Sequence, residues 1–545
     1  MIFLSRLTLL LLAASVLAVL AHSPFSTNDG PVHLAFAKVI ASHGSPESPL
    51  QAAFYALDLR PNPNLISYLV LVPAMKLVSA PAAESVLQAL CILGPVLAGW
   101  FAIRTIDRRN EFLAVALFPF ALNQMFFLGL YNYSLSIAAF FVAIGLYLRL
   151  EAVPTPGRAA ALAAGLLLAF FAHAAGFMMA VVGIASMALA KGAVRIVRGQ
   201  GVGAVLSGQA LVVFSLLVPL PVCLLFASAT KGAPVEFGAD VYSRIDQFIH
   251  LTALDLSSDV TRYAARGFRT ALAGGLSWAM IALAVKARAG MPATRLEQTA
   301  GVVAAGLTAT LVMLFIPDTL GGGWTHFKRM VVFPYFWVVL LLACMPIPRG
   351  AALVALGVGA AASGALLWSA VDVQRAVERQ MAPLIEVDRR IGAHCTVAPV
   401  VRESHPLDAA GEPMPTKFEP FFQAASRLEL KHDRVVLFNY LARLDVYPVR
   451  FRPEFEPQRL LFGWTPYQHD VQVRELDVDD YERASGRPVD YLLVWGKPSE
   501  PNPRLRNQIE AEARRSELVY RSPDGSVRLY RRPTGSRGGC RAPES

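Results

Sequence analysis

Long apolar runs limit the fold of this sequence more than any other feature. Many of them are about 16 to 25 residues long and nearly free of charge. An α-helix of about 20 such residues crosses the apolar core of a bilayer, and only helices and closed barrels can do so. The chain is 54% hydrophobic and 17% charged, whereas soluble domains carry about 25% charged residues. The sequence therefore predicts a mainly α polytopic membrane protein.

The composition changes near residue 372, after which the sequence is polar, charged and rich in Pro and Arg. We expect a transmembrane helical domain at 1–372 and a small soluble α/β domain at 373–545. Runs rich in β-branched residues predict strands in this domain, and a polar amphipathic run predicts a helix. The expected strands are 433–441, 489–496 and 517–532, and the expected helix is 502–516.

The apolar runs and the basic loops together predict the topology. A run at 64–80 is short and contains Pro73 and Lys76, so we expect it to be interfacial or re-entrant. This choice places the basic loop at 104–109 in the cytoplasm, as the positive-inside rule favours, and the soluble domain outside. About eleven spans are expected, at 6–21, 83–103, 110–128, 131–149, 157–172, 174–190, 203–227, 268–286, 297–316, 329–346 and 350–371. The first is a span or a cleaved signal peptide, and either alternative brings residue 22 out on the same side.

Charge and cysteine usage exclude some partners and predict one bond. Most of the net charge of +10 is loop charge on the membrane part. The sequence has no basic stripe interleaved with aromatic residues, so no nucleic-acid partner is expected. Membrane lipids are the expected surroundings. Cys395 and Cys540 flank the soluble domain, and outside the cytoplasm they could form a disulfide.

Polar residues gather at the expected outer ends of the spans. Asp29 follows the first span, and the Gly30-Pro31 turn after it begins a helix that we expect to lie in the membrane interface. A carboxylate there could act as a general base or bind a divalent metal; the alternative is a helix N-cap. His33, one turn later, could share the proton of Asp29 or touch a phosphate, or it could have no role.

Lys328 and Arg329 stand at an expected outer end, against the positive-inside tendency. Snorkelling would explain one of them, and binding an anionic group would explain both, because a guanidinium fits phosphate oxygens. The preceding glycines at 321–323 could fold around a ligand or form a flexible turn. Further candidates for substrate binding at the outer ends are Trp324, His326, His173 and Asn132. His173 could instead be a polar contact between spans.

The order of spans, outer loops and soluble C-terminal segment resembles that of the GT-C glycosyltransferases, which use lipid-phosphate sugar donors. That superfamily includes the protein O-mannosyltransferases, the aminoarabinose transferases and the oligosaccharyltransferase catalytic subunits. The stretches that carry the resemblance are "NDGPVHLAFAKVI", "PNPNLISYLVLVPAMKLV" and "AAESVLQALCILGPVLAGWFAIR". The "D-x-P-x-H" form is similar to a poorly characterised bacterial branch of the superfamily.

The resemblance implies a function at the outer face of the bacterial inner membrane, with an extracytoplasmic C-terminal domain. The donor would be a polyprenyl-phosphate-linked sugar, and the acceptor a lipid or glycan of the envelope. Asp29 would be the base or the metal-binding group, and Arg329 would meet the donor phosphate. Asn28 replaces the first of two acidic residues, so the sequence itself requires no metal and leaves metal use and catalysis open.

Two alternatives stay open at this stage. One is a polytopic transporter or lipid flippase, against which the two halves show no repeated pattern of spans and carry few charges in mid-membrane. The other is a non-catalytic envelope-assembly protein that binds partners through its soluble domain. The single carboxylate in the "ND" pair keeps this second alternative open.

Overall fold

The protein is mainly helical with a small mixed sheet. The computed structural model describes residues 2–22, 25–231, 235–256, 258–288, 290–320, 323, 325–464, 473, 475–496, 502–533 and 540–541. The helices are α1 Ile2–Ala21, α2 Gly30–Ser42, α3 Pro49–Phe54, α4 Ile66–Leu77, α5 Ala80–Ile106, α6 Phe118–Ala121, α7 Gln124–Phe127, α8 Tyr131–Ala152, α9 Pro156–Ala172, α10 Ala174–Val197, α11 Val202–Leu217, α12 Leu220–Ala229, α13 Val241–Ile249, α14 Asp259–Arg288, α15 Ala293–Phe315, α16 His326–Met330, α17 Phe333–Ala343, α18 Arg349–Arg390, α19 Pro457–Leu460, α20 Val478–Ser485 and α21 Pro503–Arg515.

The strands are short and lie mostly in the C-terminal third. They are β1 Tyr55–Leu57, β2 Thr396–Val401, β3 Val435–Val436, β4 Val449–Phe451, β5 Tyr491–Trp495, β6 Glu517–Arg521 and β7 Val527–Arg531. The 3₁₀ helices are Arg108–Leu117, Thr252–Leu254, Ala424–Leu430, Tyr440–Arg443 and Pro453–Phe455.

The chain divides into two compact units, which are described separately. The helical unit comprises Met1–Ser23, Arg60–Ser67 and Ser85–Val371. The mixed unit comprises Pro24–Leu59, Tyr68–Glu84 and Asp372–Ser545. The mixed unit thus contains the segment in which a soluble domain is expected, together with two N-terminal segments whose composition gave no sign of it.

Eight helices are long and apolar enough to cross a membrane, judged by their length and composition among the described residues. They are Ala80–Ile106, Tyr131–Ala152, Ala174–Val197, Val202–Ala229, Asp259–Lys286, Ala293–Phe315, His326–Ala343 and Gly350–Arg390. Shorter apolar helices lie at Leu9–Ala21, Ile66–Leu77 and Pro156–Ala172. The chain is a multi-pass membrane protein of mainly helical fold. Helix α4 has 12 residues, about 18 Å at 1.5 Å per residue, which is too short to span.

The expected span at 110–128 is wrong as a single helix. A 3₁₀ helix at Arg108–Leu117 is followed by the short helices α6 and α7. Pro119 lies in the first turn of α6, and the Asn123 side chain accepts hydrogen bonds from the backbone N–H groups of Met125 and Phe126 to begin α7. The side chains from 112 to 127 are nearly all buried in the protein, and irregular backbone at membrane depth is tolerated under that condition.

A five-stranded sheet forms the core of the C-terminal part of the mixed unit. Its strand order is β3-β2-β5-β7-β6, with β2 parallel to β3 and β5, and β7 antiparallel to β5 and β6. Strand β5, the β6–β7 hairpin and helix α21 lie where the sequence predicts them. The expected strand at 433–441 is mostly wrong, because β3 covers two residues and a 3₁₀ helix follows. Strand β2 was not predicted.

Two further contacts tie this unit together. Cys395 and Cys540 form a disulfide, with the two sulfurs 2.07 Å apart, as the sequence allowed. Strands β1 and β4 pair antiparallel, with Ala56 opposite Arg450. The pairing joins a segment near the N-terminus to one almost 400 residues later within the same unit.

The helix after Asp29, α2, was expected to lie in the membrane interface, and this expectation is wrong. Its residues are buried on nearly every side, including Val32, His33, Leu34, Phe36 and Val39. The helix is apolar around most of its circumference, and such a helix is buried rather than laid on a surface. It packs against the 3₁₀ helix Ala424–Leu430.

Candidate functional site

The candidate residues fall into two clusters, one in each unit. The first surrounds Asp29 in the mixed unit, and the second surrounds Arg329 in the helical unit. Each is described by itself.

The Asp29 carboxylate is held by a tyrosine rather than by a helix end. Asp29 is 3% exposed and precedes α2, but among the described residues its side chain makes no capping hydrogen bond. The hydroxyl of Thr27 accepts the N–H of Gly30 at 3.2 Å instead. Tyr440 donates its hydroxyl to the two carboxylate oxygens of Asp29, at 3.1 and 3.0 Å. Asp29 thus occupies the N-cap position of α2, as the alternative interpretation expects, but its side chain does not cap the helix.

The backbone before Asp29 is fixed at several points within the mixed unit. Gln374 exchanges two hydrogen bonds with the backbone of Ser26, at 2.9 and 2.8 Å. The Asn28 side chain accepts the backbone N–H of Glu419. Asn28, which stands where the resemblance expects an acid, therefore has a structural contact. The segment that presents Asp29 is held on both sides of the carboxylate.

His33 is enclosed by tyrosines one turn further along α2. It is 1% exposed, and its Nδ1 shares a hydrogen bond of 2.8 Å with the hydroxyl of Tyr68. Its ring lies 5.7 Å from that of Tyr68 and 6.0 Å from that of Tyr447. Burial, followed by the neighbouring Tyr447 and the charge of Asp29, raises the pKa of Tyr68 well above its usual value. Tyr68 is therefore a neutral phenol whose environment includes both His33 and Asp29.

The surroundings of Asp29 do not resemble a metal site built from protein ligands. Across the described ranges, no set of three His, Cys, Asp or Glu side chains brings its ligand atoms together around Asp29. Tyr440 donates its hydroxyl to this carboxylate, and a neutral phenol donates a hydrogen bond to a carboxylate rather than sharing a cation with it. The side chains present fit a hydrogen-bonded carboxylate.

The second cluster joins Arg329 to His173. Arg329 lies in helix α16 and is partly buried, whereas Lys328 beside it is exposed. The Nη1 atom of Arg329 lies 3.0 Å from Nε2 of His173. Tyr133 donates its hydroxyl to the backbone carbonyl of Arg329 at 2.7 Å, and its ring meets that of His173 edge-on at 5.7 Å. The structure therefore brings together two of the predicted substrate-binding residues.

One ring nitrogen of His173 is bonded to the backbone, and the other faces Arg329. Its Nδ1 accepts the N–H of Ala175 at 3.0 Å and so caps α10. Burial and then the Arg329 charge lower the pKa of His173 well below its usual value, so the ring is neutral. A neutral imidazole has one acceptor nitrogen and one N–H, so Nε2 carries the hydrogen. With this tautomer, Nε2 of His173 and Nη1 of Arg329 both present N–H groups, and an oxygen of an anion lying beside the two nitrogens could accept from both.

His326 and the loop before α16 complete this cluster. The ring of His326 is buried, and its Nε2 bonds the carbonyl of Leu320 at 3.0 Å. A Cβ atom at Gly323 would lie 3.2 Å from that ring, so the backbone at Gly323 approaches the ring closely. Trp324, together with Gly321 and Gly322, lies outside the described residues.

Arg244 anchors the loop before α16 and was not predicted from the sequence. Its side chain is 1% exposed and bonds Asp318 at 3.0 Å and the carbonyls of Ala239 and Leu314 at 3.0 and 3.1 Å. Its guanidinium also lies 5.1 Å from the centre of the Phe327 ring. Arg244 thereby holds the segment that positions Arg329.

Asn132 has a different set of contacts from the other candidates. Its side chain accepts the N–H of Ser67 at 2.8 Å and donates to the carbonyl of Asn64 at 3.2 Å. These bonds fix the turn before α4 and account for Asn132 in structural terms. Sequence reasoning missed Tyr440, Tyr68 and Tyr133, since nothing in the chain near Asp29 or Arg329 points to partners so distant in sequence. It also missed Thr27, which is close to Asp29 and whose hydroxyl accepts the N–H of Gly30.

No protein-family model matches the chain, and no curated protein matches it either. Among solved structures, the chain is similar to the oligosaccharyltransferase of Archaeoglobus fulgidus, solved with a tethered acceptor peptide, at 12% identity and a TM-score of 0.43. The match covers 97% of this chain and 74% of that one. At a TM-score below 0.5 this likeness is too weak to support an inference about fold family or activity.

Proposed function

We propose that this protein is an integral-membrane glycosyltransferase of the GT-C type. It would transfer a sugar from a polyprenyl-phosphate donor to a lipid or glycan acceptor at the outer face of the bacterial inner membrane. The observation that carries the proposal is the Asp29 carboxylate, which is buried, has no capping role and is oriented by Tyr440. A buried carboxylate whose orientation is fixed by a hydrogen bond is a candidate general base.

The transfer would be a single displacement at the anomeric carbon of the sugar. Asp29 would take the proton of an acceptor hydroxyl while that oxygen forms its bond to the anomeric carbon. The bond from that carbon to the phosphate oxygen breaks, and the phosphate leaves with the electron pair. Within the helical unit, Arg329 and the Nε2–H of His173 would bind the oxygens of a phosphate group, because guanidinium and imidazole N–H groups are good donors to phosphate.

The disulfide supports the proposed location of the C-terminal segment. Disulfides persist in oxidising compartments and are rare in the cytosol, and Cys395 is bonded to Cys540. An extracytoplasmic position for residues 373–545 agrees with the basic loops that the sequence places inside.

The test uses full-length protein reconstituted in liposomes with labelled polyprenyl-phosphate sugars and envelope extract as acceptor. We expect transfer by the parent protein and a loss of about a hundredfold or more in Asp29→Asn, the scale of a lost general base. Asp372→Asn, the same chemical change at an exposed position of α18, should leave transfer unchanged. Full transfer by folded Asp29→Asn would refute the role of Asp29, and no transfer by the parent from any polyprenyl-phosphate sugar would refute the donor class.

A further inference from the structure

Helices α5, α8 and α9 of the helical unit have their ends around a hollow of about 470 Å³ that is partly open to solvent. Thr105 lies at the end of α5, Arg149 in the last turn of α8, and Arg158 in the first turn of α9. The remaining wall is apolar and includes Leu146, Val153 and Ala161. Helix ends in a multi-pass protein lie at the level of the lipid headgroups. The hollow therefore combines cationic groups with an apolar wall at that level.

Both guanidinium groups are held in place without being neutralised. The Arg149 guanidinium lies 4.6 Å from the centre of the Phe101 ring. Arg158 donates from Nη1 to the carbonyl of Arg149 at 2.7 Å and to that of Val153 at 3.2 Å. Within the part of the chain that the structure describes, neither arginine pairs with a carboxylate. Glu151, the acidic residue nearest in sequence, is engaged by Lys191 at 3.3 Å and Arg195 at 3.2 Å.

The local sequence explains how Arg149 is positioned. A side chain at Gly145 would come within 2.3 Å of the Phe101 ring, so glycine lets α5 and α8 approach closely. Arg149 is four residues after Gly145 and lies on the same face of α8. The ring that fits against Gly145 therefore also lies beneath the Arg149 guanidinium, and a cation over an aromatic face is held without losing its charge.

We propose that this hollow binds an anionic phospholipid. The phosphate of the headgroup would accept hydrogen bonds from Arg149 and Arg158, and an acyl chain would run along the apolar wall. A guanidinium matches phosphate oxygens in geometry and charge. A free anion would leave the apolar wall without an occupant, and a neutral lipid would leave the two cations uncompensated. The proposal concerns the helix ends and does not depend on the glycosyltransferase assignment.

The experiment measures lipid retention and thermal stability of the detergent-purified full-length protein. Phosphatidylglycerol, phosphatidylcholine and inorganic phosphate are added separately, and bound lipid is counted by native mass spectrometry. We expect phosphatidylglycerol to be retained and to raise Tm, with phosphatidylcholine and inorganic phosphate having much less effect. In the Arg149→Gln/Arg158→Gln variant, phosphatidylglycerol retention should fall by on the order of tenfold, because each basic group near the headgroups contributes to binding.

Two further variants make the result decisive. Arg198→Gln removes an exposed basic residue that follows α10 and should retain phosphatidylglycerol as the parent does. Arg149→Lys/Arg158→Lys keeps both charges and should retain more of this lipid than the double Gln variant, which also separates lost binding from lost folding. Equal retention by the parent and the double Gln variant would overturn the proposal. An equal rise in Tm from inorganic phosphate, or equal retention of phosphatidylcholine, would overturn it as well.

Discussion

The hydroxyl of Tyr440 bonds both carboxylate oxygens of Asp29, although the two residues are 411 positions apart in the chain. The ring of Tyr440 packs against Phe422, with ring centres 5.7 Å apart, so the hydroxyl is aimed by packing. This hydrogen bond restricts rotation of the Asp29 carboxylate. Such restriction favours catalysis, because a general base acts efficiently only when it is held close to its productive geometry.

Tyr440→Phe should lower glycosyl transfer by about tenfold, because it removes the hydrogen bond that orients the base and keeps the base itself. The ring remains, so Tm should change little. Tyr520→Phe removes a hydroxyl from a ring that lies against Arg390, and it serves as the matched control with unchanged transfer. Transfer rates and Tm are measured on the same preparations. Parent-level transfer by Tyr440→Phe would show that Tyr440 does not position the base.

Substitution should lower the stability of the protein at Thr27 but not at Asp29. The Thr27 hydroxyl accepts the first N–H of α2, so Thr27→Ala should destabilise the protein by about 1 kcal/mol, as the loss of a helix cap does. Thr27→Ser keeps the hydroxyl and should be close to the parent in stability. Asp29→Asn should leave the free energy of unfolding nearly unchanged. The free energies of unfolding are measured by denaturation of the purified proteins in detergent. If Asp29→Asn were as destabilising as Thr27→Ala, this assignment would be contradicted.

The sequence was most informative where one local pattern decides the structure. Bilayer-length apolar runs are largely found as helices, and the amphipathic run at 502–516 became Pro503–Arg515. The segment at 110–128 misled, since its apolar content matches a span, while Pro119 and Asn123 interrupt the helix. Hydropathy averages over a window and does not register two interrupting residues inside it.

Only part of the candidate site could be predicted from the sequence, because some of its residues are defined by tertiary contacts. Asp29 and Arg329 stand out locally, as a polar residue after an apolar run and as a cation at an expected outer end. Tyr440 stands among ordinary apolar residues, and its function depends on a contact made only after folding. Tertiary partners of this kind leave no periodicity or spacing in a single sequence. The same holds for Arg244, whose burial among backbone carbonyls is set by loops far apart in the chain.

Arg329→Gln should weaken the binding of the phosphate donor more than it lowers the maximal rate. The side chain faces Nε2 of His173 in an arrangement that an anionic oxygen would complete, so its loss should raise the donor KM by about tenfold or more. Lys328→Gln is the natural control, because Lys328 is the exposed neighbour in the same short helix. KM and kcat are determined at varied donor concentration. An equal rise in KM for both variants would indicate general surface charge instead of a specific contact.

Glu429 should make the stability of the protein depend on pH. Its side chain is fully buried; its Oε1 accepts the Tyr55 hydroxyl at 2.7 Å and the Val436 N–H at 2.6 Å. Burial raises the pKa of Glu429 from 4.5 to about 8, and these two hydrogen bonds offset only part of that rise. In the unfolded chain the carboxyl returns to its ordinary value. Between these values the unfolded chain releases a proton that the folded protein keeps.

The stability contribution of Glu429 is therefore fully present below about pH 4.5 and is lost as the pH rises towards 8. Glu429→Gln cannot ionise and still offers an oxygen to Tyr55 and Val436, so this variant should lose part of the decline in Tm between pH 5 and pH 8. Its Tm should exceed that of the parent at pH 8. Glu386→Gln, at an ion-paired site on α18, should keep the slope of the parent. A Glu429→Gln variant whose Tm falls with pH as steeply as that of the parent would show that the buried carboxyl is ionised throughout this range.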